Sequence, residues 1–96
     1  MTGGWVYIVT NRKHGTLYVG VTSDIRRRAV EHREGAFDSF TKKHALHRLV
    51  WMEPHETMPE AIRREKSLKR WQRAWKIQLI EQRNPDWDDL FETLNS

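Results

Sequence analysis

Apolar positions along the first fifth of the chain fall in two short runs separated by a polar turn. Trp5, Val6, Tyr7, Ile8 and Val9 are all β-branched or aromatic, which predicts a strand over 5–9. Asn11, Arg12, Lys13, His14 and Gly15 supply turn residues, and 16–19 reads as the returning strand of an antiparallel hairpin. Side chains two apart share a face of a strand. Tyr7 therefore sides with Trp5 and Val9, and Tyr18 with Thr16 and Gly20. After the hairpin the spacing becomes helical. Ile25 and Ala29 mark an apolar side, Ser23 can cap, Asp24 lies in the first turn, and Gly35 can stop a helix over 24–34. Arg28 and His32 then stand one turn apart on a common face.

Residues 37–47 read as a loop with a short helical turn, and Leu49, Val50, Trp51 and Met52 predict a third strand ended by Pro54. Thr57 followed by Glu60 fits a capping box, with Pro59 tolerated in the first turn. The helix it opens runs to about Arg70, with Ala61, Ile62, Leu68 and Trp71 as its apolar members. Glu65 is three residues from both Ile62 and Leu68, a carboxylate on the inward stripe of a basic helix. Trp75, Ile77, Leu79 and Ile80 mark another helix, closed near Asn84 and Pro85. Trp87, Leu90, Phe91 and Leu94 can form a short amphipathic end piece. Trp71 and Trp75, four apart on one helical face, read as core rather than as base-stacking platforms, whereas Trp51 and Trp87 read as exposed enough to bear on oligomeric state. The expected fold class is α/β (α+β), a small three-stranded antiparallel sheet flanked by helices, in one domain over 1–96.

Composition narrows the chemistry. The 96 residues include no cysteine, which excludes disulfides, thiolate metal sites and cysteine nucleophiles. No apolar run approaches the ~20 residues of a membrane span, so a cytoplasmic protein without a membrane partner is expected. Lys and Arg number 17 against 13 Asp and Glu, a net charge of +4 that is unevenly spread. Residues 63–76 hold seven basic side chains and one acid, and 86–92 hold four acids and no base. Such a basic face suits a polyanion, though a solvated helical face reads equally well from the segment alone. Lys66, Lys69, Arg70 and Arg73, with Lys42 and Lys43 in the loop, are the candidate phosphate contacts. His44 and His47 sit three apart, but no cysteine or third clustered ligand supports zinc.

Tyr7, the run Tyr18-Val19-Gly20, Arg28 ten positions after Tyr18, His32 four later and Glu65 on the following helix form one ordered set. With it the chain resembles the GIY-YIG endonuclease superfamily, most closely the small single-domain bacterial (YhbQ-type) group related to the catalytic module of the UvrC excision-repair nuclease. The resemblance extends from Trp5 to about Trp87. Trp5-Val6-Tyr7 replaces the glycine and isoleucine of the first signature and keeps its tyrosine, and Asn84 falls near a late asparagine of many members. The resemblance implies a metal-dependent endonuclease acting on DNA, with RNA left open and damaged or branched forms as candidate substrates. It implies Tyr7 as general base, Tyr18 as a pocket hydroxyl, Arg28 on the scissile phosphate, His32 as a positioner and Glu65 as ligand of Mg²⁺ or Mn²⁺. Read singly, Tyr7 is a core strand residue and Glu65 a salt-bridge partner of Arg28 or a nearby lysine. The alternatives are a nucleic-acid-binding module with a weak or inactive site, and an adaptor whose basic helix meets an acidic protein. A homodimer or protein partner is left open for targeting.

Overall fold

The computed structural model describes residues 3–34 and 44–95. Strands β1 (Gly4–Thr10), β2 (Leu17–Thr22) and β3 (Arg48–His55) form one antiparallel sheet in the order β2-β1-β3. Helices α1 (Ile25–Arg33), α2 (Met58–Arg70) and α3 (Arg73–Arg83) flank it, and a 3₁₀ helix spans Leu90–Asn95. This is the α+β arrangement that the pattern predicts. No described helix is long and apolar enough to cross a membrane. Lys42, Lys43 and Gly35 lie outside the described residues.

Period-two alternation of β1 divides the core. Tyr7 and Val9 pack with Ile25 and Ala29 of α1, and Val6 and Ile8 pack with Ala61 and Leu68 of α2. Ile8 pairs with Trp51 but Val9 pairs with Leu49, so Val50 is the extra residue of a bulge. The bulge sends Val50 and Trp51 to the α2 side and Leu49 to the α1 side.

Several boundaries differ from expectation for physical reasons. Asp24, not Ser23, caps α1: its carboxylate accepts the Arg27 N–H at 3.1 Å, while its own N–H donates to Thr22 Oγ1 at 3.1 Å. Pro54 does not end β3, because β3 is an edge strand, where proline is tolerated. Thr57 caps α2 by accepting the Glu60 N–H at 3.3 Å. Trp51 and Trp87, expected at the surface, are 1% and 0% exposed. Trp87 is locked in place: its indole N–H donates to Glu81 Oε2 at 2.9 Å and Arg48 donates to its carbonyl at 3.2 Å. Ile62 is exposed, because Ala61 and Leu68 supply the buried stripe. Trp71 and Trp75 do not share a helix. Trp71 is the extended C-cap of α2, Gln72 is the extended N-cap of α3, and the chain turns between them.

Arg73, a sequence candidate for phosphate binding, is engaged within the fold. Its guanidinium donates to the carbonyls of His14 at 2.7 Å and Gly15 at 2.6 Å, pinning the β1–β2 turn to α3. Glu81 reinforces the same joint, since His14 Nε2 lies 3.0 Å from the carboxylate that accepts from Trp87. The Trp87 hydrogen bond, then the His14 contact, hold the Glu81 carboxyl below the usual glutamate range. A carboxyl depressed in the folded state stabilises it above the unfolded value of about 4.3, and the contribution is lost as pH falls through the folded value. Glu81→Gln should therefore melt below wild type near neutral pH, with the gap closing in acid. Thermal melts across a pH series measure this.

Candidate active site

Tyr7 sits at the centre of the middle strand, directly opposite Gly20 of β2. The register leaves the tyrosine ring lying against the glycine backbone. A Cβ on Gly20 would fall 2.4 Å from both Tyr7 Cζ and Oη, so this glycine is needed for space. Across the same face, α1 presents His32, whose Nε2 lies 3.1 Å from the Tyr7 hydroxyl. The rings meet edge-on with centroids 5.4 Å apart. Tyr7 is 1% exposed and His32 2% exposed, so this polar pair is shielded from bulk water, and an electrostatic contact is stronger in the low-dielectric interior than in water.

Tyr18, paired with Val9 in the β1–β2 ladder, is half-buried with its ring 6.1 Å from His32. Helix α2 packs against β1 and β2 and reaches this edge through Lys69, whose Nζ stands 5.8 Å from the Tyr18 ring centroid. The same ammonium pairs with Glu65 at 2.8 Å, one turn earlier on α2. Glu65 thus has the lysine partner that its residue type alone suggests, and its side chain is 12% exposed. Arg28 lies one turn before His32 on α1. Its guanidinium pairs with Glu31 at 3.2 Å and borders a polar cleft of about 250 Å³ shared with Thr22, Ser23, Asp24 and Arg27. The rings of Tyr7 and Tyr18 each neighbour that of His32, Glu65 joins them through Lys69, and Arg28 lies one turn away along α1.

Asn84 serves the fold. It is buried, its amide donates to the carbonyls of Val50 at 3.0 Å and Asp88 at 2.9 Å, and its Oδ1 accepts the Asp88 N–H at 3.0 Å. Of the α2–α3 cations, Lys66 and Arg70 are exposed, while Lys69 and Arg73 hold intramolecular partners. Among the described residues no group of three His, Asp or Glu is placed to hold a metal ion, so His44 and His47 have no third ligand there. His47 instead donates through Nδ1 to the carbonyl of His32, tying the end of α1. Asp89 ties it again, pairing with Arg33 at 2.6 Å and accepting the Leu49 N–H at 3.2 Å.

One site residue escaped the sequence reading, and another was given a different role there. Glu31 pairs with Arg28 and, at 3.8 Å, with Arg27; the only signal was its helical spacing of three and four from the two arginines. Lys69 enters as a partner of Glu65 and Tyr18 rather than as a free cation, for which the spacing of four from Glu65 was the signal.

One three-stranded sheet thus carries the two tyrosines, with an arginine and a histidine on one helix and a glutamate on another. The chain belongs to the GIY-YIG family: residues 3–78 match the GIY-YIG catalytic domain. It is 36% identical over 83 residues to a UPF0213 protein of Staphylococcus aureus (strain N315), covering 86% of this chain and 100% of that protein. A UPF0213 protein of Staphylococcus saprophyticus is 37% identical over 76 residues, 79% of this chain and 92% of that one. The solution NMR structure of the UPF0213 protein BH0048 from Bacillus halodurans superposes with a TM-score of 0.55, at 30% identity and 90% coverage of both chains.

Proposed function

We propose that this protein is a cytoplasmic, metal-dependent endonuclease that hydrolyses phosphodiester bonds in DNA, with damaged or branched forms as its substrates. The observation that carries this reading is the shielded Tyr7–His32 pair, 3.1 Å apart, with Tyr18 against the same imidazole. A phenol with an ordinary pKa of about 10 is a poor base near neutrality and needs a proton acceptor. In this reading His32 Nε2 takes the Tyr7 proton while Tyr7 takes one from the attacking water, and the Tyr18 hydroxyl orients that water. Arg28 exchanges Glu31 for the scissile phosphate, which its planar fork can grip in bidentate fashion.

The donor set fits a hard divalent ion. Glu65 offers one partly buried carboxylate, and Mg²⁺ commonly takes one or two carboxylates and completes its shell with water and phosphate oxygens. Glu65 would hold Mg²⁺ or Mn²⁺, which when bound supplies charge neutralisation at the phosphate and the departing oxygen. Lys69 would then release the carboxylate and remain beside Tyr18 as a cation for substrate.

One observation favours the binding-module reading instead: Arg28 and Glu65 are each already ion-paired, so the resting site is internally neutralised. Cleavage of labelled single-stranded, duplex and branched DNA, and of RNA, with Mg²⁺ or Mn²⁺ at low salt separates the two. Glu65→Ala should cleave at least about a hundredfold slower than wild type, the scale of losing one preorganised electrostatic group. If Glu65→Ala and Arg28→Ala cut as fast as wild type, the nuclease assignment is lost. Retained binding with no cleavage by any form would leave the binding module.

A further inference from the structure

We propose that the α2–α3 corner is a second binding site, one that stacks an unpaired nucleobase on Trp75; this rests on the reading that the protein acts on nucleic acid. Trp75 is 50% exposed, one of the few large apolar side chains left at the surface among the described residues. Trp71 props it edge-to-face, with centroids 6.1 Å apart at 84°. Trp71 is itself held against the core, with the Arg64 guanidinium 5.3 Å from its ring centroid. The exposed indole is therefore braced, so little conformational freedom would be lost when a flat ring lands on it.

The surroundings suit a nucleotide. Trp71, Trp75, Gln78, Leu79 and Gln82 line an open groove of about 360 Å³. Its polar groups include the two glutamine side-chain amides, which can donate and accept at a base edge as glutamine does in groove readout. No Asp or Glu occurs anywhere from residue 66 to 80, a stretch that contains Lys66, Lys69, Arg70, Arg73 and Lys76. Burial first, and then the Arg73 charge, lower the Lys76 pKa, so this corner gains from an incoming anion. Among the described residues no carboxylate pairs with Lys76, Lys66 or Arg70. Lys76 directly follows Trp75 in the chain, and an aromatic platform with a neighbouring uncompensated cation is the combination that holds single strands without sequence preference.

The break between α2 and α3 creates the site. A continuous helix would have carried both indoles inward; the extended Trp71-Gln72 step leaves Trp71 on the core and swings Trp75 outward.

The test is fluorescence anisotropy of a labelled oligothymidylate and of a blunt duplex, in metal-free buffer so that cleavage plays no part. Trp75→Ala should bind the single strand about tenfold more weakly and the duplex as wild type does, and Trp75→Phe should retain most of the affinity. Equal single-strand affinity for Trp75→Ala overturns the site, as does an equal loss for both probes. Sedimentation of the same samples supplies a further check. If wild type dimerises and Trp75→Ala does not, the groove belongs to a second copy and the proposal fails. The nuclease assignment is decided separately by the Glu65→Ala cleavage comparison, so either reading can fail without the other.

Discussion

Gly20→Ala should cost the protein both stability and cleavage, although the added group is one methyl. Most Gly-to-Ala changes in a strand are mild, because the new Cβ points into solvent or a soft contact. Here it would be built 2.4 Å from Tyr7 Cζ and 2.4 Å from its hydroxyl oxygen. The tyrosine cannot simply swing aside. Its ring is fully buried against α1, and its hydroxyl is held at 3.1 Å from His32. Relief must come from tilting the ring or parting β1 from β2, and overpacking of this kind costs about 1–3 kcal/mol. The hydroxyl also moves away from the imidazole. A misplacement of about 1 Å at a reacting group can slow a reaction about a hundredfold. Urea denaturation should therefore register the stability loss, and cleavage under single-turnover conditions should fall by about that factor with substrate binding little changed. A Gly20→Ala protein that cleaves at the wild-type rate would mean that Tyr7 is not a reacting group.

Tyr7→Phe should be the cleaner and larger lesion. The phenyl ring keeps the packing against Val9, Ile25 and Ala29, so the fold should survive. What is lost is the hydroxyl, and with it the partner of a buried imidazole nitrogen. Losing a buried hydrogen bond of this kind costs about 0.5–1.5 kcal/mol, which a melting curve can detect. A positioned acid or base contributes about 10²–10⁴-fold to rate, and the proposed mechanism assigns that whole contribution to this oxygen. Cleavage should fall within that range, in kcat rather than KM, because Tyr7 is too buried to contribute much to binding substrate. His32→Gln should fall less far, since it removes only the proton acceptor. Equal rates for Tyr7→Phe and wild type would reassign Tyr7 to the core, its reading when taken alone.

The architecture was legible where local periodicity and burial agree. The two β-branched runs around a polar turn and the Thr57 cap produced β1, β2 and α2 because strand alternation and helix capping act over a few residues. The ordered set of Tyr7, Tyr18, Arg28, His32 and Glu65 was also readable, being a matter of residue type and spacing. Even the alternative for Glu65, a lysine partner, followed from its setting on a basic helix.

The rest depended on what meets across the sheet. Nothing local distinguishes the buried Trp51 and Trp87 from the exposed Trp75. Their burial is decided by the bulge at Val50, by the Glu81 acceptor and by a helix break at Trp71-Gln72 that no glycine or proline announces. Nor could the list of cations indicate that Arg73 is occupied or that Lys69 meets Tyr18, because the His14 and Gly15 carbonyls and Tyr18 are 51 to 59 residues away from them. The amino-acid sequence by itself determined the elements and the inventory of reactive groups, since both arise from short-range sterics and covalent chemistry. Only the tertiary structure decided which groups touch, which charges are already neutralised, and that Tyr7 needs a residue without a Cβ opposite it. Those outcomes depend on strand register and packing between distant segments, which no local stretch of the chain contains.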